Sequence, residues 1–389
     1  MAGLSAAPRV EGPRLLNDLW ELARIGGRPD GGVDRVAGSP ADLEARIWLR
    51  GRMEAAGLVA RADSVNNVFG RQPGGSAPWL LVGSHTDTVL AGGRLDGAFG
   101  VMAALEACRA LSDAGHPAAP KVEVVSFHDE EGAAGGGGLS GSRALLRDPH
   151  VDELGGYLEI HIEQGPVLES EGRELGVVEG IVGIRRLNVR MEGEANHAGT
   201  TPYAARRDAG AAAAKLAWQV RDILHGVDPT MVGNAGVIGF EPGSPNVVPG
   251  GATLVVEVRS LSEQSVERAC EAVHAAAKAA ADDFRCRAMV EPGLVIEPVR
   301  MDPRFIETLV SVCERNGRPW RMMSSGAGHD AGALAARLPA GMLFVPSRGG
   351  ISHSPLEHTD DRLLVQGAQA LLNAIVEMTD PLVFDPTRN

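Results

Sequence analysis

The run Leu80-Leu81-Val82-Gly83-Ser84-His85-Thr86-Asp87-Thr88 decides the fold. Three aliphatic residues in succession, closed by glycine and serine and followed by polar residues, read as a short strand buried on both faces. Beyond Gly100, Val101, Leu105 and Cys108 recur at helical spacing, and Val122 to Phe127 reads as a second buried strand. Strand, helix, strand is the grammar of a largely parallel sheet with helices on both faces. Upstream, Ser39-Pro40 supplies an N-cap followed by proline at the first helical position, and Gly57 ends that helix.

The pattern changes near Leu187. Strand-like Leu187 to Met191 precedes an Ala-rich helix from Asp208 to Leu224, then strands near Val232 to Gly239 and Ala252 to Arg259. A helix with Val266, Cys270, Val273 and Ala277 on one face and a strand near Cys286 to Val290 complete the order βαββαβ, a ferredoxin-like unit. After Asp302 a helix to Arg315 and a buried strand at Met342 to Val345 resume the earlier grammar. The expected architecture is therefore α/β, with a discontinuous larger domain (1–186 and 301–389) and an inserted α+β domain (187–300). A chain of 389 residues exceeds one ordinary core, which fits that division.

A formal charge of -13 and the lack of any basic run argue against nucleic acid as a partner, because phosphate neutralisation needs clustered Lys and Arg. Cys108, Cys270, Cys286 and Cys313 lie far apart with no CxxC pair, so neither a zinc knuckle nor a disulfide framework is expected. The first sixteen residues lack the continuous apolar segment of a secretory signal, and no stretch has the length to span a bilayer. These features together lead to the expectation of a cytoplasmic protein with no membrane partner.

Ligands of α/β folds gather beyond the carboxyl ends of strands, and the acidic and histidine clusters fall there. In Gly83-Ser84-His85-Thr86-Asp87, His85 can ligate a divalent metal while Asp87 holds its ring, and Asp96, set among glycines, has two oxygens that could bridge two ions. A lone histidine after a strand is most often structural; the His-x-Asp pair followed by a glycine-flanked Asp points to metal instead. His128-Asp129-Glu130-Glu131 closes the next strand, and its paired glutamates suit one metal ligand and one free general base. His128 and Asp129 themselves read as a solvated turn. In Glu159-Ile160-His161-Ile162-Glu163, period-two alternation puts His161 with polar companions on one strand face. His353 lies in Gly350-Ile351-Ser352-His353-Ser354-Pro355, after the buried strand at 342–345. Together His85, Asp96, Glu131, His161 and His353 form a nitrogen and oxygen set suited to Zn, Mn, Co or Ni, with no thiolate to single out zinc.

These segments resemble the amidase/hydantoinase/carbamoylase family, which includes N-carbamoyl-L-amino-acid hydrolase, allantoate amidohydrolase and β-ureidopropionase. The likeness runs from about Asn17 to Met378 through GSHTDTV, GGRLDGAFGV, DEEG, HIEQGPVLE, NHAGTTP, GSPNVVPG, GAGHDA and GISHSPLE. It implies a zinc-aminopeptidase-like catalytic domain carrying a lid and dimerisation domain, a homodimer, and two divalent metals on the five residues above, with Asp96 bridging and Glu130 as the base. By the same resemblance His197 stabilises the oxyanion, Asn246 and Arg259 grip a substrate carboxylate, and Gln164 contacts the ureido or amide end. The planar guanidinium of Arg259 suits that carboxylate on chemical grounds as well. His329-Asp330 reads as a pair that shapes the backbone near the site.

The chain departs from the family after Glu131, where an Arg-Phe pair is usual and Ala133-Ala134-Gly135 stands here, and at Tyr203, where methionine is usual. The expected reaction is hydrolysis of a carbamoyl or ureido C–N bond on a small carboxylate-bearing substrate. An N-carbamoyl-L-amino acid would give the amino acid, carbon dioxide and ammonia, and allantoate would give ureidoglycine. The rivals are an N-acyl-amino-acid amidase or dipeptidase on the same scaffold and a non-catalytic small-molecule binder.

Overall fold

The structure, a computed structural model, describes residues 7–135 and 137–380. The chain divides into two compact units, one ending at Gly180 and resuming at Arg300, the other spanning Ile181–Val299. The second unit thus begins six residues before the sequence-based boundary at 187, because its first strand already starts at Gly183.

The strands of the first unit are β1 (Val59–Ala62), β2 (Val68–Arg71), β3 (Trp79–His85), β4 (Val122–Phe127), β5 (Leu154–Ile162), β6 (Leu175–Ile181), β13 (Val299–Arg300), β14 (Trp320–Ser325) and β15 (Ala340–Val345). Among the described residues they form a nine-stranded sheet in the order β1-β2-β4-β3-β5-β15-β6-β13, with β14 paired to β6. The centre, β4-β3-β5-β15, is parallel as the βαβ grammar requires. Its flanks are not: β1, β2 and β6 run antiparallel to their neighbours, so the sheet is mixed rather than largely parallel. For β1 and β2 the physical reason is connection length, since they are joined by a tight turn at 63–67 in which the Asp63 N–H donates to Asn67 O at 3.0 Å, too short for a parallel crossover.

The helices of this unit are α1 (Gly12–Arg24), α2 (Pro40–Ala55), α3 (Ala98–Asp113), α4 (Ser140–Leu145), α5 (Val167–Ser170), α8 (Pro303–Arg315), α9 (Asp330–Leu334) and α10 (Asp361–Met378). Ser39 caps α2 by accepting the Asp42 N–H, with Pro40 at the first helical position. Apolar residues of α1, α2, α3, α8 and α10 form one core with Leu80 and Val82 of β3, Leu158, Ile160 and Ile162 of β5, and Leu343 and Val345 of β15. Truncating one of these, such as Leu343→Ala, costs about 2–5 kcal/mol. Strand alternation sends Tyr157, Glu159 and His161 to the opposite face, where the Ala331 N–H of α9 donates to Glu159. The core therefore anchors β5 by its isoleucines and leaves His161 on the other side.

In the second unit β7 (Gly183–Glu192), β9 (Val232–Glu241), β11 (Gly251–Ser260) and β12 (Arg287–Ile296) form an antiparallel sheet ordered β12-β7-β11-β9. Helices α6 (Ala209–Val227) and α7 (Glu263–Asp283) share an alanine- and valine-rich core with it. Asp208 and Ser262 cap them by accepting the Ala211 and Ser265 N–H groups. A two-stranded ribbon joins β8 (Asn196–His197) to β10 (Val247–Val248). No helix among the described residues is long and apolar enough to cross a membrane.

Candidate metal centre

The end of β3 delivers His85, whose Nδ1 lies 3.0 Å from the Asp87 main-chain oxygen, and β5 delivers His161, whose Nδ1 lies 2.9 Å from the Ile162 oxygen. A ring nitrogen facing a carbonyl must carry the proton, so both rings turn an Nε2 lone pair inward. Both lone pairs face one oxygen of Asp96: Oδ1 is 3.7 Å from His85 Nε2 and 3.1 Å from His161 Nε2. The rings stack with centroids 6.0 Å apart. Gly97 makes this approach possible, since it holds φ +63° and a Cβ there would lie 2.4 Å from the His85 ring.

The other oxygen of Asp96 faces a second set. His353 Nε2 is 3.2 Å from Asp96 Oδ2 and 3.2 Å from Glu131 Oε2, while Glu131 Oε1 is buried without a hydrogen-bond partner. The five residues thus form two donor groups, His85/Asp96/His161 and Asp96/Glu131/His353, that share Asp96. Glu130 belongs to neither and stands with Oε2 3.6 Å from His85 Nε2. The Asp87 carboxylate lies 3.8 Å from His85 Nδ1, and it also accepts the backbone N–H groups of Glu130 and Glu131 at 3.4 and 3.3 Å. The expectation was that this carboxylate holds the His85 ring. The hydrogen bond to the ring comes from the Asp87 main chain instead, and the carboxylate ties the first cluster to the glutamate turn.

The electrostatics of the site call for positive charge. Burial draws the His161 pKa down, but hydrogen bonding to Asp96 and its charge outweigh that and push it up to about 9. Hydrogen bonds to Asp96 and Glu131 push His353 up to about 10. Burial, reinforced by Asp330 and Glu131, holds the Glu130 carboxyl well above the usual range. Burial likewise lifts Asp330 to about 8, helped by Glu159. Imidazole nitrogens crowded onto one carboxylate call for a proton or a metal cation between them, and an imidazole and carboxylate set is what borderline divalent ions prefer. The residues present therefore fit metal ions.

Of the polar neighbours around these groups, Gln164 and the His329-Asp330 pair were read in sequence, whereas Ser352 and Glu357 were not. Gln164, at φ +57° beyond β5, donates its amide to Asp96 Oδ2 at 2.9 Å and leaves Oε1 buried and unpartnered. Ser352 Oγ lies between two carboxylates, 3.0 Å from Asp96 Oδ2 and 2.9 Å from Glu357 Oε2, the shorter contact taking its one proton. Glu357 Oε1 accepts the N–H groups of Leu95 and Asp96, and burial together with Asp96 raises its pKa to about 7. The only signal for Glu357 was its place at the end of GISHSPLE. His329 packs on His161 with ring centroids 4.6 Å apart and meets Ser325 Oγ through Nε2, and Asp330 is fully buried with neither oxygen hydrogen-bonded. Asp129 does not lie in a solvated turn: it is buried at φ +52° and accepts the Ser140 hydroxyl at 2.7 Å, because the turn folds back onto the start of α4.

The remaining candidates lie in the second unit. The β8–β10 ribbon pairs His197 with Val247, and Asn246 O accepts the Ala198 N–H, so two motifs distant in sequence meet. His197 is exposed, and its Nδ1 accepts the N–H groups of Gly199 and Thr200 at 3.0 and 3.2 Å. This fixes the proton on Nε2, which becomes an outward donor. Asn246 is exposed, with Oδ1 accepting the Ser244 hydroxyl. Arg259, on β11, pairs with Glu257 at 2.7 Å.

An imidazole and carboxylate cluster beyond the carboxyl ends of parallel strands is the layout of a metal-dependent hydrolase. The chain belongs to peptidase family M20/M25/M40, which matches residues 81–377. It is 34% identical to an allantoate amidohydrolase from Bacillus subtilis (strain 168), over 92% of this chain and 95% of that one. It is 32% identical to an N-carbamoyl-L-amino-acid amidohydrolase from Paenarthrobacter aurescens, over 94% and 98%. The crystal structure of an amidase of the hydantoinase/carbamoylase family from Burkholderia multivorans superposes with a TM-score of 0.88 at 32% identity, covering 95% of this chain and 98% of that one. The family resemblance legible in the motifs is thus shown, and the chain is a hydrolase acting on C–N bonds other than peptide bonds.

Proposed function

We propose that the protein hydrolyses the ureido C–N bond of an N-carbamoyl-L-amino acid or a closely related ureido acid at this centre. The observation that carries the reading is Asp96 shared between two donor groups, with Glu130 beside them and in neither. His85, Asp96 and His161 would hold one divalent cation and Asp96, Glu131 and His353 the other. When bound, such cations supply Lewis acidity to the attacking water and to the scissile carbonyl. Glu130 takes the proton of that water, and the new C–O bond forms as the carbonyl electrons move to oxygen. As the C–N bond breaks, Glu130 returns the proton to the leaving nitrogen. An N-carbamoyl amino acid then yields the amino acid and carbamate, which decomposes to carbon dioxide and ammonia.

His197 offers its Nε2–H to the developing oxyanion, and Gln164 Oε1 offers an acceptor to a ureido N–H. Asn246 and Arg259 are assigned to the substrate carboxylate, Arg259 exchanging Glu257 for it. We read the second unit as a ferredoxin-like lid and dimerisation domain. Its βαββαβ order supports the first part. The exposed edge strand β9, with Val232, Val237, Ile238 and Phe240 outward, supports a homodimer.

Ammonia release from N-carbamoyl, allantoyl and N-acyl amino acids, with and without chelator, tests the reading. We expect chelator-sensitive turnover of the ureido substrates. Faster turnover of N-acyl amino acids would favour the amidase, and binding without turnover would favour a non-catalytic protein.

A further inference from the structure

Glu357 is 3% exposed and lies four residues beyond His353, yet its carboxylate is spent on another loop. Oε1 accepts the Leu95 N–H at 2.8 Å and the Asp96 N–H at 3.1 Å. Oε2 accepts the Ser352 hydroxyl at 2.9 Å, and the same Ser352 oxygen lies 3.0 Å from Asp96 Oδ2 and 3.3 Å from the Gln164 amide nitrogen. The chain makes room for this carboxylate at Gly93, where a Cβ would fall 1.9 Å from Glu357 Cδ. One buried acid thus binds the main chain at Asp96 and the side chain next to His353, two loops that meet nowhere in sequence.

We infer that Glu357 is a positioning residue: it fixes the Asp96 loop and the His353 loop in one register, so that the Asp96, Glu131 and His353 group can take its cation. The inference rests on the ligand set proposed above. Carboxylates that orient metal ligands from behind commonly govern affinity by about 10- to 100-fold. Because His353 serves only the second group, the effect falls mainly on one of two cations. What the amides need is an acceptor oxygen, which glutamine retains; its NH2 can donate to Ser352 Oγ.

The test is calorimetric titration of chelator-stripped, folded full-length protein with Zn²⁺ and with Mn²⁺, together with a count of bound metal. We expect Glu357→Ala to weaken the second equivalent by at least about tenfold while the first stays within about threefold. Glu357→Gln should restore the second equivalent. Gly93→Ala, which displaces the carboxylate without altering residue 357, should repeat the loss. The inference is overturned if both variants keep both equivalents within about threefold, if both equivalents are lost alike in a folded protein, or if glutamine gives no rescue. A wild-type protein that takes up fewer than two equivalents refutes the functional reading itself, and this inference with it.

Discussion

Glu130 Oε2 and His85 Nε2 stand 3.6 Å apart, so a carboxylate that belongs to neither donor group lies beside a residue of one of them. A base in that position reaches the attacking water without giving up its oxygens to the cations. Glu130→Gln is therefore expected to lower kcat by about 10²–10⁴-fold, the usual worth of a general base, and to leave metal content unchanged. A glutamine variant with near-normal turnover would place the base elsewhere.

Asp87 bridges the His85 loop and the Glu130-Glu131 turn through two backbone N–H groups. Asparagine in its place turns an NH2 toward at least one of those donors. We expect Asp87→Asn to lower metal affinity about 10–100-fold, read by chelator competition. Unaltered affinity would show that the turn holds its shape without this tie.

If Arg259 grips the substrate carboxylate through two parallel hydrogen bonds, lysine can supply only a point charge. Arg259→Lys should raise KM by about tenfold or more, equivalent to about 1.4 kcal/mol, with a smaller change in kcat. The paired measurement of KM and kcat on an N-carbamoyl amino acid decides it, and an unchanged KM removes the clamp.

Away from the metal centre, His150 Nε2 lies 2.5 Å from Glu123 Oε2 and Nδ1 lies 2.9 Å from Glu153 Oε2. Burial draws the imidazolium down, but Glu123 outweighs it and raises the His150 pKa above its ordinary value. A raised folded-state pKa stabilises the fold most below the unfolded value of about 6.5, and that contribution is lost as pH rises through the folded value. The Tm difference between wild type and His150→Gln should therefore be widest in mild acid and shrink toward alkaline pH. A gap that widened with pH would reverse the sign. Loss of the edge-to-face contact with Phe69, 5.5 Å between centroids, adds only a pH-independent offset.

Much of the centre was legible because its residues follow strands whose burial is written in short aliphatic runs. His85 and His161 could be placed from Leu80-Leu81-Val82 and from the isoleucines at 160 and 162. Glu130 and Glu131 follow Val122 to Phe127 for the same reason. What sequence could not convey was any relation that depends on two loops folding together. Glu357 reads as one more polar residue until Gly93 and the Leu95 and Asp96 amides close around it. Asp129 looked solvated because burial against Ser140 comes from the chain turning back after a glycine-rich stretch. The antiparallel pairing of β1 with β2 followed from the tight turn at 63–67 rather than from hydrophobic pattern.

In the parallel pairing of β5 with β15, Phe344 stands opposite His161 and Leu343 opposite Ile160. Because side chains alternate, one residue added near the start of β5 would turn His161 into the aliphatic interior and present isoleucine to Asp96. Catalysis and folding would fail in the same stroke. The register of one parallel strand pair thus ties the position of a metal-facing imidazole to the integrity of the aliphatic core.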